Sequence, residues 1–259
     1  MTPDEELIDV RGTCVRALSA GSGPPLLYLH SFLGELAWQP LIDNLSRYFR
    51  VYALENPAFT TTENLERLDS VHDLTFHYAD LLDLLKLEQA YVVGACVGGW
   101  IAAELAVHYP NRLLKLVLID ALGLKPSGVF VPDIFAANPS QTRALLFKNP
   151  DSQLARSFIS DTPSPEMLDR MLISRQALAR IGWNPYLHDP KLQDRLYRVR
   201  VPTLVLWGDA DPLLSLEHAH LYVDKIANAR LMIIEDCGHL PLLENIEQTA
   251  NSVAEFLKS

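Results

Sequence analysis

The feature that most constrains this chain is the hexapeptide Gly94-Ala95-Cys96-Val97-Gly98-Gly99. It joins an apolar run, Tyr91-Val92-Val93, to a helical pattern from Trp100 to Tyr109. A G-x-nucleophile-x-G segment between strand and helix is a sharp turn that lifts its middle side chain clear of the backbone. The middle residue takes strained dihedrals, so its neighbours two places away must be small. Gly94 and Gly98 meet that demand. Cys96 would then stand at a helix N-terminus, where unpaired N–H groups favour an anion. The Val97 N–H would face any oxyanion formed on a carbonyl that Cys96 attacked. Serine is the usual residue at this point, and cysteine is the departure. Taken alone, the hexapeptide is equally a small buried thiol in a turn that packs a helix on a sheet. The G-x-G-x-x-G spacing of dinucleotide-binding folds is absent.

Bulk properties narrow the setting. The chain has 259 residues, 49% of them hydrophobic, which is enough for one large core with an insertion. A net charge of −10 repels phosphate backbones, so no nucleic acid is expected as a partner. No apolar run approaches the roughly 20 residues of a membrane span. The start, Met1-Thr2-Pro3-Asp4-Glu5-Glu6, lacks the basic-then-apolar layout of a signal peptide, so a cytoplasmic protein without a membrane partner is expected. Cys14, Cys96 and Cys237 suggest neither a disulfide scaffold nor a metal cluster, and no cofactor is expected.

Short apolar runs alternate with helical patterns. Strands are expected at 13–18, 26–30, 50–54, 90–94, 114–119, 203–207 and 230–234. The last five are nearly continuous apolar runs, as in parallel strands covered on both faces. Ser70 can cap a helix that presents Leu74, Tyr78, Leu81, Leu82 and Leu85 on one side. Pro241 can open a final helix with Ile246, Ala250, Val253, Phe256 and Leu257 inward. Such alternation implies an α/β fold, a mostly parallel sheet with helices on both faces. Residues 123–200 break the rhythm: helical patterns, many prolines and no convincing parallel strand. The expected division is a core of 1–122 and 201–259 with a helical lid of 123–200.

A cysteine nucleophile needs a base, and the base needs an orienting acid. Of eight histidines, only His239 lies in a loop between a strand and a helix at the sheet's C-terminal edge, where catalytic groups collect. His72, His77 and His108 read as helix residues, His218 and His220 as solvated ones, and His30 as a structural histidine beside that edge. The turn Trp207-Gly208-Asp209-Ala210-Asp211-Pro212 offers Asp209 and Asp211 as the acid, though turn geometry alone can call for either. The order nucleophile, acid, histidine is that of a strand-edge triad. The loop Leu27 to Gly34 can supply a second oxyanion donor, the N–H of Phe32 or of Ser31.

These motifs together resemble the α/β-hydrolase family of the capped, single-domain type. The resemblance spans nearly the whole chain: the His-x-Phe-x-Gly loop, the elbow, the Trp-Gly-x-x-Asp turn and the Gly-His-x-Pro-x-x-Glu close. It implies Asp211 rather than Asp209 as the acid, and a lid that carries specificity. The chain departs from the family pattern at His30-Ser31, where His-Gly is usual, and at Pro57-Ala58-Phe59-Thr60, where Pro-Gly-Phe-Gly is usual. Its third departure is Cys96, in which it is similar to dienelactone hydrolase and its relatives.

The expected chemistry is cleavage of an ester, lactone or thioester of a mostly apolar small molecule. Cys96, His239 and Asp211 would form the triad, with Phe32 and Val97 as oxyanion donors. Ser31, Trp100, Phe135 and Trp183 are candidate substrate contacts, although the lid aromatics can equally form the lid's own core. Acyl transfer, or ligand binding without turnover, are alternatives on the same scaffold. A monomer or homodimer is expected.

Overall fold

The computed structural model describes residues 2–33, 40–57, 59 and 66–259. Gly34, Ala58 and Thr60, named above, lie outside them. Among the described residues an eight-stranded sheet forms the centre, in the order β1-β2-β4-β3-β5-β6-β7-β8. Its strands are β1 Asp4–Val10, β2 Thr13–Ala20, β3 Pro25–Leu29, β4 Arg50–Leu54, β5 Ala90–Ala95, β6 Leu113–Ile119, β7 Thr203–Gly208 and β8 Ala229–Ile234. β1, β2 and β4 pair antiparallel, and every pairing from β4 to β8 is parallel.

Period-two alternation feeds two cores, one on each face of the sheet. Leu27, Leu29, Val92, Leu116 and Leu118 point into one core. Leu26, Tyr28, Val93, Val117 and Ile119 point into the other. The first core is closed by α2 (Val71–Leu84), α3 (Val97–His108) and α7 (Leu216–Lys225). The second is closed by α1 (Pro40–Leu45) and α9 (Ile246–Lys258), which pack on each other. Ser70 caps α2 as expected, its Oγ accepting from the Asp73 N–H at 3.1 Å.

The edges depart from the expectation. β1 was not foreseen, because Asp4-Glu5-Glu6-Leu7 carries three carboxylates and Leu7 is 73% exposed. It is an edge strand, where exposed charge guards against unwanted pairing. β8 is the other edge, and Met232 and Ile233 are exposed, so it is not the doubly covered strand its apolar sequence suggests. Pro241 does open a helix, but only the short α8 (Pro241–Glu244); Asn245 separates it from α9, and Ile246 is half-buried.

Between β6 and β7 the chain builds α4 (Pro139–Leu146), α5 (Gln153–Phe158) and α6 (Pro165–Gly182). Pro139 and Pro165 sit in the first turns, where a missing N–H costs nothing. Asn138, Ser152 and Ser164 cap these helices. Arg143 is buried and donates to the Pro150 and Ile159 carbonyls and to Asp161, which ties α4 to the loops around α5. No helix among the described residues is long and apolar enough to cross a membrane.

Candidate active site

Cys96 occupies the turn between β5 and α3 with φ 53° and ψ −116°. A left-handed φ on a residue with a side chain is strained, and the surroundings hold it there. The Cys96 N–H donates to the Ile119 carbonyl at 2.9 Å. The Cys96 carbonyl accepts from Trp100 and Leu122. A Cβ on Gly98 would meet the Leu29 carbonyl oxygen at 2.2 Å, and one on Gly94 would meet the Gly98 oxygen at 2.3 Å. Both positions therefore exclude side chains, which is the demand the sequence motif expresses.

His239 and Asp211 come from the loops after β8 and β7. Asp211 Oδ2 lies 2.8 Å from His239 Nδ1, and both side chains are fully buried. Asp211 Oδ1 accepts from the Leu213 and Leu214 N–H groups at 2.8 and 2.9 Å, so the carboxylate is fixed at both oxygens. Asp209, the other candidate, is turned elsewhere and accepts from the Cys237 N–H at 3.1 Å. It ties the two loops together and does not reach the imidazole.

His239 Nε2 is buried without a hydrogen-bond partner. The Cys96 sulfur lies within electrostatic reach of the ring. Burial disfavours the imidazolium, but Asp211 and Cys96 outweigh it and hold His239 well above the usual histidine range. The resting imidazole is thus pinned at Nδ1 and without a hydrogen bond at Nε2, as catalytic hydrogen bonds often are in a resting site.

One residue of this constellation was missed. Asp120 follows β6 at φ 41°, fully buried. Its Oδ1 accepts from the Gly208 N–H at 3.1 Å, and its Oδ2 has no hydrogen-bond partner. A ligand atom of each of Asp120, Asp211 and His239 lies within 4.8 Å of the others. Burial first, and then the charge of Asp211, raise Asp120 well above the carboxylate range, so it holds a proton. The sequence signal was a lone acid at the end of an apolar strand, which the triad order left without a place.

The loop after β3 is held by a polar chain. His30 Nδ1 donates to the Ser31 carbonyl at 2.6 Å, and its Nε2 accepts from the Asn56 N–H at 2.7 Å. Asn56 Nδ2 returns a bond to the His30 carbonyl, and the Tyr78 hydroxyl donates to Asn56 Oδ1. His30 is thereby a structural histidine, and the network sets the bend carrying Ser31 and Phe32. Ser31 is half-buried and Phe32 is buried.

Phe32 lines a pocket of about 50 Å³ with Leu33, Phe158, Ile159 and Met171. The candidate contacts Trp100, Phe135 and Trp183 do not line it. Trp100 packs under Gly123 and borders a separate cleft. Phe135 packs at a tilt against Trp183 and edge-on against Tyr186, with ring centroids 5.4 and 5.7 Å apart, and Trp183 is 61% exposed. Cys237 faces the core opposite to that of Cys96, and burial pushes its thiol up, which leaves it no part in a disulfide with Cys96. His218, expected at the surface, is buried: α7 turns it inward, and its Nδ1 lies 3.1 Å from the Ser215 carbonyl. His220 is exposed.

Similar proteins have the same architecture. A hydrolase from Comamonas testosteroni, 2-hydroxy-6-oxo-6-phenylhexa-2,4-dienoate hydrolase, is 28% identical over 92% of this chain and 89% of its own. Human monoacylglycerol lipase ABHD6 is 26% identical over 92% of this chain and 77% of its own. A solved serine hydrolase of carbazole degradation, the CarC enzyme, superposes with a TM-score of 0.78 at 24% identity, covering 99% of both chains. Residues 24–246 match the model of the alpha/beta hydrolase fold. With the sheet order and the elbow in place, the chain belongs to the alpha/beta hydrolase family and is one of its enzymes.

Proposed function

We propose that the chain hydrolyses an ester, lactone or thioester of a mostly apolar small molecule through Cys96, His239 and Asp211. The observation that carries the reading is the fully buried Asp211–His239 pair at 2.8 Å, with the free side of the imidazole turned to the elbow cysteine. With the Cys96 proton resting on His239, which Asp211 and Cys96 hold above its usual range, the sulfur forms a bond to the substrate carbonyl carbon. The negative oxygen is received by the Val97 N–H, which has no acceptor within its own helix, and by the N–H of Phe32. The carbonyl re-forms, the bond to the leaving oxygen or sulfur breaks, and His239 returns the proton to that leaving group. Water then gives a proton to His239 and attacks the thioester, and the acid is released with Cys96 restored.

Residues 123–200 act as the lid. Phe158, Ile159 and Met171 from this segment meet Phe32 along one side of the small pocket, which suits an apolar acyl group, and Thr142, Arg170, Ser174 and Arg175 are among the residues that line the rest of it. The relatives fit this range, since their names describe hydrolases of a phenyl-substituted dienoate and of a monoacylglycerol. CarC is described as a serine hydrolase, so the sulfur of Cys96 is a departure that this reading takes as working chemistry.

The test is turnover of an ester panel with intact-mass measurement. Cys96→Ala should lose activity on the order of 10⁶-fold in kcat. The native chain should gain the mass of the acyl group during turnover, and Cys96→Ala should not. Full esterase activity in Cys96→Ala would overturn the scheme. Ligand binding without any turnover across the panel would instead make the fold a receptor.

A further inference from the structure

On the side of the sheet away from α1 and α9, α2 and α3 bring together three side chains that the proposed chemistry does not use. Glu104, in the middle of α3, is completely buried, yet neither carboxylate oxygen has a hydrogen-bond partner. Burying a carboxylate without partners is among the costliest arrangements a fold can hold. Two imidazoles stand beside it. His108, one turn on, places Nδ1 3.5 Å from Glu104 Oε2, and His72 of α2 places Nε2 3.8 Å from the same oxygen. One ligand atom from each of the three lies within 4.8 Å of the others. Trp100, one turn before Glu104, also leaves its Nε1 buried without a partner.

We propose that His72, Glu104 and His108 form a binding site for a divalent transition metal, of the Zn2+ class. Two imidazoles and a carboxylate are a donor set that zinc takes readily, and one that calcium or magnesium does not favour. At zinc–ligand bonds of about 2.0–2.1 Å, tetrahedral geometry separates neighbouring ligand atoms by about 3.3 Å. The observed 3.5 and 3.8 Å need only a slight contraction. His72 and His108 are half-buried, so a rotamer change suffices. A cleft of about 260 Å³ bordered by His72, Trp100, Glu104, His188, Asp189 and Arg195 leads to the site and leaves room for a water or Asp189 as fourth ligand.

Arg195 opposes the metal. Its Nη1 lies 3.4 Å from His72 Nε2 and 3.2 Å from Asp189 Oδ2, so it stands where a cation is wanted. His108 Nδ1 is also 2.9 Å from the Glu104 carbonyl oxygen. A metal must displace the guanidinium from His72 and bind each ring through a nitrogen lone pair, which at His108 means giving up the Nδ1 contact with the Glu104 carbonyl. Binding would cross-link α2 to α3, the helix that begins at Cys96.

The experiment is Zn2+ titration by calorimetry of the metal-stripped Cys14→Ala, Cys96→Ala double variant, which removes the exposed thiol and the elbow thiol, with Co2+ as a spectroscopic probe. We expect one equivalent bound, and a Co2+ spectrum of tetrahedral type without a thiolate charge-transfer band. His72→Ala and His108→Ala should each weaken binding about 100-fold, the upper end of what even a supporting partner is worth at a metal. Arg195→Ala should tighten it, a change of opposite sign that no loss of folding can mimic. His239→Ala should leave it unchanged. Absence of binding, or binding that His72→Ala and His108→Ala leave intact, would overturn the proposal.

Discussion

At the scale of single residues, the contrast that matters is between two buried aspartates beside one histidine. Asp211 touches the imidazole and is fixed by the Leu213 and Leu214 N–H groups, whereas Asp120 stands behind it with a proton. If Asp211 orients and balances His239, Asp211→Asn should lower kcat about 10⁴-fold while the fold persists, because an amide favours the wrong tautomer. Asp120→Asn replaces a protonated acid by a neutral group of the same shape. It should keep kcat within about tenfold, and an equal loss in the two variants would refute this division of roles. The sequence left Asp209 and Asp211 open, and the family resemblance chose Asp211, which is the one that meets His239. Asp120 was illegible for a physical reason: its role depends on three strand ends converging, and no local spacing encodes that. Phe135 and Trp183 were read as candidate contacts from the apolar aromatic character of their segment, which serves an aromatic cluster as well as a pocket, and Trp100 packs under Gly123.

At the scale of elements, the elbow is legible because it is steric. Gly98 abuts the Leu29 carbonyl at a distance no side chain tolerates, so the constraint is written directly into residue type. Gly98→Ala must push α3 off β3, and it should cost about 3 kcal/mol of stability, which the urea midpoint would register. A shift below a few tenths of a kcal/mol would mean that the contact is soft. Central strands were legible for a similar reason, since burial on both faces demands unbroken apolar runs. The edges were not. β1 satisfies its backbone with one neighbour and carries charge outwards, and β8 exposes apolar side chains, so pattern and burial part company at both margins.

At the scale of the whole molecule, buried histidines tie stability to pH. Burial holds His30 and His77 at about 4, against 6.5 for a free histidine. Both are neutral in the fold, and on unfolding they take up protons below 6.5. Their contribution is therefore complete above pH 6.5 and is lost as pH falls towards 4, at about 3 kcal/mol for each. His239 runs the opposite way. Its raised pKa stabilises the fold below pH 6.5, and that contribution fades as pH rises through the folded value. Urea midpoints measured from pH 7.5 to 4 should fall on the acid side, and His77→Gln should flatten the fall; a midpoint independent of pH would contradict the assignment.

The Glu244 carboxylate accepts from the Gly238 N–H at 2.8 Å and from the Lys148 N–H at 3.0 Å, while the His239 N–H donates to the Leu146 carbonyl at 2.9 Å and Lys148 pairs with Asp236. The histidine loop and the end of α4 are thus stitched into one body. Anything that shifts residues 146–148 therefore moves the backbone that carries the His239 imidazole, so the anchorage of that ring reaches beyond its own loop into the segment between β6 and β7.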